Sequence, residues 1–342
     1  MLDFDQAAYA TLDEDHATFS HQAHREGIPM FPPTLNVQVP LTGTTLSSAR
    51  RTRATVWSTD YPDGPDTVPI MVEQGVKSGI VTPVFSQGQV VAGIVLCAVN
   101  RWQTITPHMR KVVELTALRL EHALELRRAV REVRTTLEAG MLTLGLAIEA
   151  RDSETQGHTM RAATLAEALG RRLGLTSTEL GGMRQGAYLH DLGKLCIPDA
   201  ILSKPGKLTP DEWSTMKSHV VHGHGLASRI PGFSQDLLDI IRSHHERWDG
   251  SGYPDGFAGP DIPRSARIFA VCDVYDALIS DRPYKKAWSH EEAVLEIERQ
   301  SGRHFDPEVV CAFLTLMEQR PGGPEAWNEE GTDGNADLTL VN

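Results

Sequence analysis

His190 and Asp191 stand side by side in Leu189-His190-Asp191-Leu192-Gly193-Lys194, at the centre of a dispersed set of side chains able to hold metal. Upstream, Glu154 and His158 are four residues apart, a spacing that puts both on one face if the segment is helical. Downstream come His219, the doublet His244-His245, and Asp273 within Val271-Cys272-Asp273-Val274-Tyr275-Asp276. These eight candidates are all imidazoles or carboxylates, and none is a thiolate. Such a donor set suits Fe, Mn, Ni or Zn and disfavours a structural zinc. Eight ligands exceed what one ion uses. A carboxylate such as Asp191 can bridge two ions, and ions about 3.5–4 Å apart could activate a bridging hydroxide and hold a phosphate oxygen. Single histidines in helices are more often core or surface residues, so His108, His122, His222, His224, His290, His304 and the earlier histidines stay unassigned.

The elements that must position these ligands read as helices. Glu138 to Ala150, Arg161 to Leu173, Thr178 to Asp191, Pro210 to Ser228, Gln235 to Arg247, Arg264 to Ile279, His290 to Ser301 and Pro307 to Gln319 all carry helical periodicity. Thr209-Pro210 and Ser289-His290-Glu291-Glu292 are helix-start signals. Before them, from about Pro107 to Arg151, lies one long helical region. Ala123, Leu126, Val130, Val133 and Leu137 recur there at alternating three- and four-residue steps. Two readings of that stripe stay open: a helix packed on its own domain, or a two-helix linker joining two subunits.

The first hundred residues differ in character. Asn36 to Leu41, Ala54 to Ser58 and Gly79 to Phe85 are short and β-branched, and Ser86-Gln87-Gly88-Gln89 is a turn signal before the apolar run Val90 to Val99. This predicts an antiparallel hairpin. Pro-rich loops are expected at 28–33 and 61–69. The chain therefore divides into an N-terminal α+β domain (1–106), a linker helix (107–139), an all-α domain (140–320) and a disordered tail (321–342) rich in Gly, Pro, Asp and Glu.

Bulk properties narrow the classes. Hydrophobic residues are 40% and charged residues 23%, as in ordinary soluble proteins. The acidic opening 1–10 argues against a secretory signal, and Val90 to Val99 is far shorter than the roughly 20 residues a spanning helix needs. Cys97, Cys196, Cys272 and Cys311 form no C-x-x-C pair and read as small apolar residues in a reducing cytoplasm. A net charge of −12 repels nucleic acid polymers, so an anionic substrate must be met by local cations or metals.

Longer motifs carry a family resemblance. They are Ala150-Arg151-Asp152-Ser153-Glu154-Thr155 with Gly157-His158-Thr159, then His190-Asp191-Leu192-Gly193-Lys194, then Ile197-Pro198-Asp199 with Lys204-Pro205-Gly206-Lys207-Leu208-Thr209. Met216-Lys217 with His219, His244-His245-Glu246-Arg247-Trp248-Asp249-Gly250-Ser251-Gly252-Tyr253-Pro254, and Asp273 to Ser280 before Arg282-Pro283-Tyr284-Lys285 complete the series. The segment 140–320 closely resembles the HD-GYP branch of the HD superfamily of metal-dependent phosphohydrolases. The resemblance implies hydrolysis of cyclic di-GMP to pGpG and on to GMP. It also implies two or three divalent ions, with iron first and manganese second. By it the metal ligands are Glu154, His158, His190, Asp191, His219, His244, His245 and Asp273. Gln156, Cys196 and Cys272 depart from the family pattern without removing a ligand. The N-terminal region is similar to a GAF domain through Gly79 to Phe85, the turn and Val90 to Cys97, which implies a regulatory sensor. A GAF domain opens with a helix, which the first thirty residues do not announce.

Within this frame Asp191 and Lys194 are the catalytic candidates, with Lys194 placing its ammonium on a phosphate oxygen. Arg282 and Lys285 are expected to hold the second phosphate or a guanine face, although ordinary surface charge is the simpler reading of that pair taken alone. Asp152 and Asp276 are expected to accept from guanine N–H groups, and Gly252, Tyr253 and Pro254 to shape the pocket rim. A homodimer through the linker helix is expected. Two rivals are an HD-type hydrolase of other nucleotides and a non-catalytic cyclic di-GMP module; the Gly252-Tyr253-Pro254 motif and the complete ligand set argue against them.

Overall fold

A computed structural model describes residues 3–28, 36–152, 157–281 and 286–319. Glu154, Arg282, Lys285 and the expected tail lie outside them. The chain divides into two compact units, Met1–Arg134 and Thr135–Asn342.

In the first unit, strands β1 (Gln6–Leu12), β2 (His16–His24), β3 (Val37–Pro40), β4 (Val56–Ser58), β5 (Val76–Ser86) and β6 (Gln89–Val99) form one antiparallel sheet. Its order is β3-β2-β1-β6-β5-β4. The expected hairpin is present: Phe85 faces Val90 and Ser86 faces Gln89. Gln87 and Gly88 have φ of 52° and 70°, the two left-handed residues of a turn whose twist matches its strands. β1 and β2 form a second hairpin inside the first thirty residues, and no helix precedes β1 among the described residues. Ala10 and Ala17 are small because helix α1 (Thr45–Thr52) presses Leu46 and Ala49 against them. The stretch expected as a loop ends in a short helix α2 (Pro69–Glu73), with Pro69 in its first turn where the missing N–H costs nothing.

Helix α3 (Pro107–Asp152) spans 46 residues, and from Thr135 onward it belongs to the second unit. Leu126, Val130, Val133 and Leu137 on it are 57–67% exposed, so the expected stripe does not pack on its own domain. The second unit continues with α4 (His158–Arg172), α5 (Ser177–Leu189), α6 (Asp199–Leu202), α7 (Pro210–Lys217), α8 (His219–Ala227), α9 (Gln235–Ser243), α10 (Arg264–Ile279), α11 (His290–Arg299) and α12 (Pro307–Gln319). Reciprocal caps start α5, α7 and α11 at Thr176/Glu179, Thr209/Glu212 and Ser289/Glu292. Leu165, Leu169, Met183, Phe269, Tyr275 and Phe313 fill the core between α4, α5, α10 and α12.

Two helices are shorter than their periodicity predicts. The run Pro210 to Ser228 is broken at Ser218 into α7 and α8. There the ring Nδ1 of His219 takes the Met216 carbonyl at 2.8 Å, competing with the next helical amide. Helix α9 stops at Ser243, where the Ile240 carbonyl accepts both the His244 amide and the His244 ring Nδ1.

Candidate metal centre

The candidate ligands cluster at helix ends. His158 opens α4, His190 and Asp191 follow α5, His219 opens α8, and His244 and His245 follow α9. Asp273 alone comes from mid-helix, in α10. Ring nitrogens and carboxylate oxygens of His219, His244 and His245 lie within 4.8 Å of one another, as do those of His158, His190 and Asp273, and of His190, Asp191 and His244. Shared members merge the three groups into one cluster. The rings of His190 and His244 stand 5.2 Å apart, those of His219 and His245 also 5.2 Å.

Four of the five imidazoles are held by Nδ1. Nδ1 of His190, His219 and His244 lies 2.8, 2.8 and 2.9 Å from the carbonyls of Ala187, Met216 and Ile240. A carbonyl only accepts, so Nδ1 donates and Nε2 carries the lone pair. His158 differs: its Nδ1 meets the Asp276 carboxylate at 2.8 Å. Nε2 of His244 is buried without a hydrogen-bond partner. A buried lone pair left idle is costly unless a cation takes it. Asp191 faces both ways: one oxygen is 3.0 Å from His190 Nε2 and the other 3.3 Å from His219 Nε2. His158 Nε2 is 3.2 Å from Asp273. The donors present therefore fit divalent ions, which His158, His190, Asp191, His219, His244, His245 and Asp273 could hold.

The electrostatics agree. Burial would raise the Asp191 carboxyl, but the His190 imidazole and the Lys194 ammonium outweigh it and hold it well below the usual range. Burial is likewise outweighed at Asp273, by His158 above all, which lowers it. Burial drives His244 well down and His245 to about 3, with neighbouring imidazoles adding to it, so both stay neutral donors. His190 is raised, because Asp191 outweighs its burial.

Two supports surround the cluster. Asp276, 1% exposed, binds His158 with one oxygen, while Arg161 spans both its oxygens at 2.7 and 3.0 Å and also donates to Ser280. Asp276, expected at guanine, has its carboxylate oxygens on His158 and Arg161, a pairing that would orient the His158 ring toward a bound ion. The last turn of α3 is the second support. Glu149 accepts from the amides of Gly157 and Thr159, which flank His158, at 2.5 and 2.9 Å. Arg151 donates to the Lys194 and Ile197 carbonyls at 2.8 and 2.9 Å and to Asp199. Asp152 pairs with the Lys194 ammonium, which also lies 2.7 Å from Asp191. Asp152 was expected at guanine; its carboxylate instead meets Lys194. The Tyr253 ring packs 4.8 Å from His245, and the Tyr253–Pro254 bond is cis. Gly252 is required by backbone rather than ligand approach: a Cβ there would meet the Arg247 nitrogen at 2.4 Å.

Sequence reasoning did not assign Arg161, Glu149 or Arg151. A signal existed for the first: Arg161 follows His158, and Asp276 follows Asp273, by one helical turn each, so two ligand-bearing helices facing each other bring the second pair together.

Residues 144–309 match the family model described as HD domain, and the motifs from His158 to Ser280 lie within that span. The chain is 40% identical over 206 residues to the 3′3′-cGAMP-specific phosphodiesterase 2 of Vibrio cholerae, covering 60% of this chain and 40% of that protein. It is 44% identical over 203 residues to the cyclic di-GMP phosphodiesterase response regulator RpfG of Xanthomonas campestris, covering 59% and 53% respectively. The chain thus spans about half, or less, of the length of these relatives. A solved GAF domain of a two-component sensor histidine kinase from Bacillus halodurans is 16% identical, with a TM-score of 0.32, covering 38% of this chain and 87% of that one. Among the described residues no helix is long and apolar enough to cross a membrane.

Proposed function

We propose that this chain is a metal-dependent phosphodiesterase that opens cyclic di-GMP to pGpG and carries it on to GMP. The observation that carries this is the set of buried histidines whose Nδ1 is tied back, so that Nε2 and the carboxylates of Asp191 and Asp273 face one another. Divalent ions held there, iron first and manganese second, would supply Lewis acidity and a hydroxide nucleophile near neutral pH. Asp191, with an oxygen toward each half of the cluster, suits a bridging ligand, and Glu154 would complete a third ion's shell. Lys194 would neutralise a phosphate oxygen, and its buried setting strengthens that contact. Arg282 and Lys285 would hold the second phosphate, with Tyr253 and Pro254 at the rim. We further read the N-terminal unit as a GAF-like regulator and the exposed stripe on α3 as the seam of a homodimer, in a cytoplasmic protein.

The relative named for 3′3′-cGAMP favours a second substrate, one in which adenine replaces a guanine. Protein loaded anaerobically with iron or manganese is incubated with cyclic di-GMP, 3′3′-cGAMP or pGpG, and the products are separated by chromatography. Faster turnover of cyclic di-GMP, giving pGpG, is expected. Faster turnover of 3′3′-cGAMP overturns the substrate assignment. Inertness toward both, by metal-replete protein that hydrolyses another nucleotide, overturns the reaction class. The His190→Ala, Asp191→Ala double variant is expected to stay folded and lose all hydrolysis.

A further inference from the structure

The sheet of the first unit borders a partly open cavity of about 80 Å³ beneath α1 and α2. Its wall is apolar, with Ala17, Phe19, Leu46, Ile80, Val81 and Val95 among the lining residues. Native interiors rarely leave voids much larger than one water, and this one has room for several. No charged side chain lines it among the described residues. Most polar groups at its edge are already occupied: the Thr44 hydroxyl donates to Leu41, and the Tyr61 hydroxyl accepts from the Val68 amide. Gln22 is the exception. Both its carboxamide oxygen and its carboxamide nitrogen are buried without a partner.

A carboxamide presents a donor and an acceptor side by side, so its best complement is a group that presents the reverse pair. An anion would be buried here without a counter-charge, which is costly. The volume is about half that of an apolar cavity that holds benzene, so only a molecule of a few non-hydrogen atoms fits. We propose that the N-terminal unit binds a small uncharged molecule with a short apolar body and one amide-like group, held through the Gln22 carboxamide. A nucleotide does not fit this description in size or charge. Nor does covalent capture by the one thiol in the lining: burial pushes Cys97 up to about 12, which leaves it protonated and unreactive.

The claim is independent of the catalytic reading, since it concerns only side chains of the first unit. Its test uses the full chain, labelled on methyl groups and amides, titrated with propionamide and with propionate, its charged counterpart of equal size. Propionamide is expected to give saturable shifts of the Gln22 side-chain amide and of the Ile80, Val81 and Val95 methyls. Propionate is expected to bind at least tenfold more weakly. Gln22→Met keeps the shape without the amide, so it should weaken propionamide at least tenfold and unfold no earlier than the parent. The proposal is overturned by the absence of saturable shifts, by equal binding of propionate, or by cyclic GMP producing the same shifts. A Gln22→Met protein that unfolds earlier than the parent also overturns it, because the amide would then have a partner inside the protein.

Discussion

Four of the five candidate ligand histidines have Nδ1 tied back, and in three of them a main-chain carbonyl holds it. The fourth, His158, depends on a side chain, so its orientation can be removed by one substitution. Asp276→Ala is expected to weaken metal binding about 10–100-fold, the usual range for losing such a support, with helical content unchanged. A competition titration against a chromophoric chelator measures this, and parent-like affinity would refute the role. A second residue-scale effect belongs to His304, which stacks on Phe305 with ring centres 4.2 Å apart. Burial first, and then the Arg247 cation, push it down to about 4. Between the ordinary imidazole value of about 6.5 and 4, the unfolded chain takes up a proton that the folded chain refuses. Stability from this group is therefore whole above that window and falls as pH decreases through it. His304→Gln should recover about 1–2 kcal/mol of unfolding free energy at pH 5 relative to pH 7, compared with the parent in urea titrations.

At the scale of elements, most candidate ligands sit at helix ends, and three of their rings reach a main-chain carbonyl of the preceding turn. This explains what could be read in the chain and what could not. Apolar periodicity and the Thr209/Glu212 and Ser289/Glu292 caps announced the helices of the second unit. The break at Ser218 was invisible, since a ring nitrogen competing for a carbonyl leaves no periodic trace. Strands β1 and β2 were illegible for another reason. Their alanines carry little strand propensity, and the partner that fixes β1, at Gln6 opposite Cys97, is remote in sequence. The candidate ligands were legible through residue type and motif, whereas the burial of Asp276 and its pairing with His158 and Arg161 are tertiary facts that the sequence does not show. Gly193 marks the tightest approach between elements: a Cβ there would lie 1.8 Å from the His219 carbonyl. Gly193→Ala is expected to cost more than about 3 kcal/mol and to lower metal content together, read by denaturant unfolding and elemental analysis. Arg151→Ala should instead leave metal content unchanged while lowering kcat at least tenfold, because it loosens only the turn that carries Lys194. Loss of metal in that variant would show that the same turn also holds His190 and Asp191 in place.

For the whole molecule, the exposed Leu126, Val130, Val133 and Leu137 form an apolar stripe that the sequence announced and the fold left uncovered. If two copies join there, Val130→Glu with Val133→Glu should convert a dimer into a monomer by light scattering, with the ligand cluster intact. An unchanged mass would refute the seam.

The ligands from His158 to Asp273 are strung along more than a hundred residues and come from α4, α5, α8, α9 and α10. Ions seated among them would act as cross-links that tie distant loops of the chain, much as disulfides do in secreted proteins. A strong chelator would then do to this protein what a reductant does to those: it would free the unfolded chain and lower the melting temperature, besides silencing any chemistry.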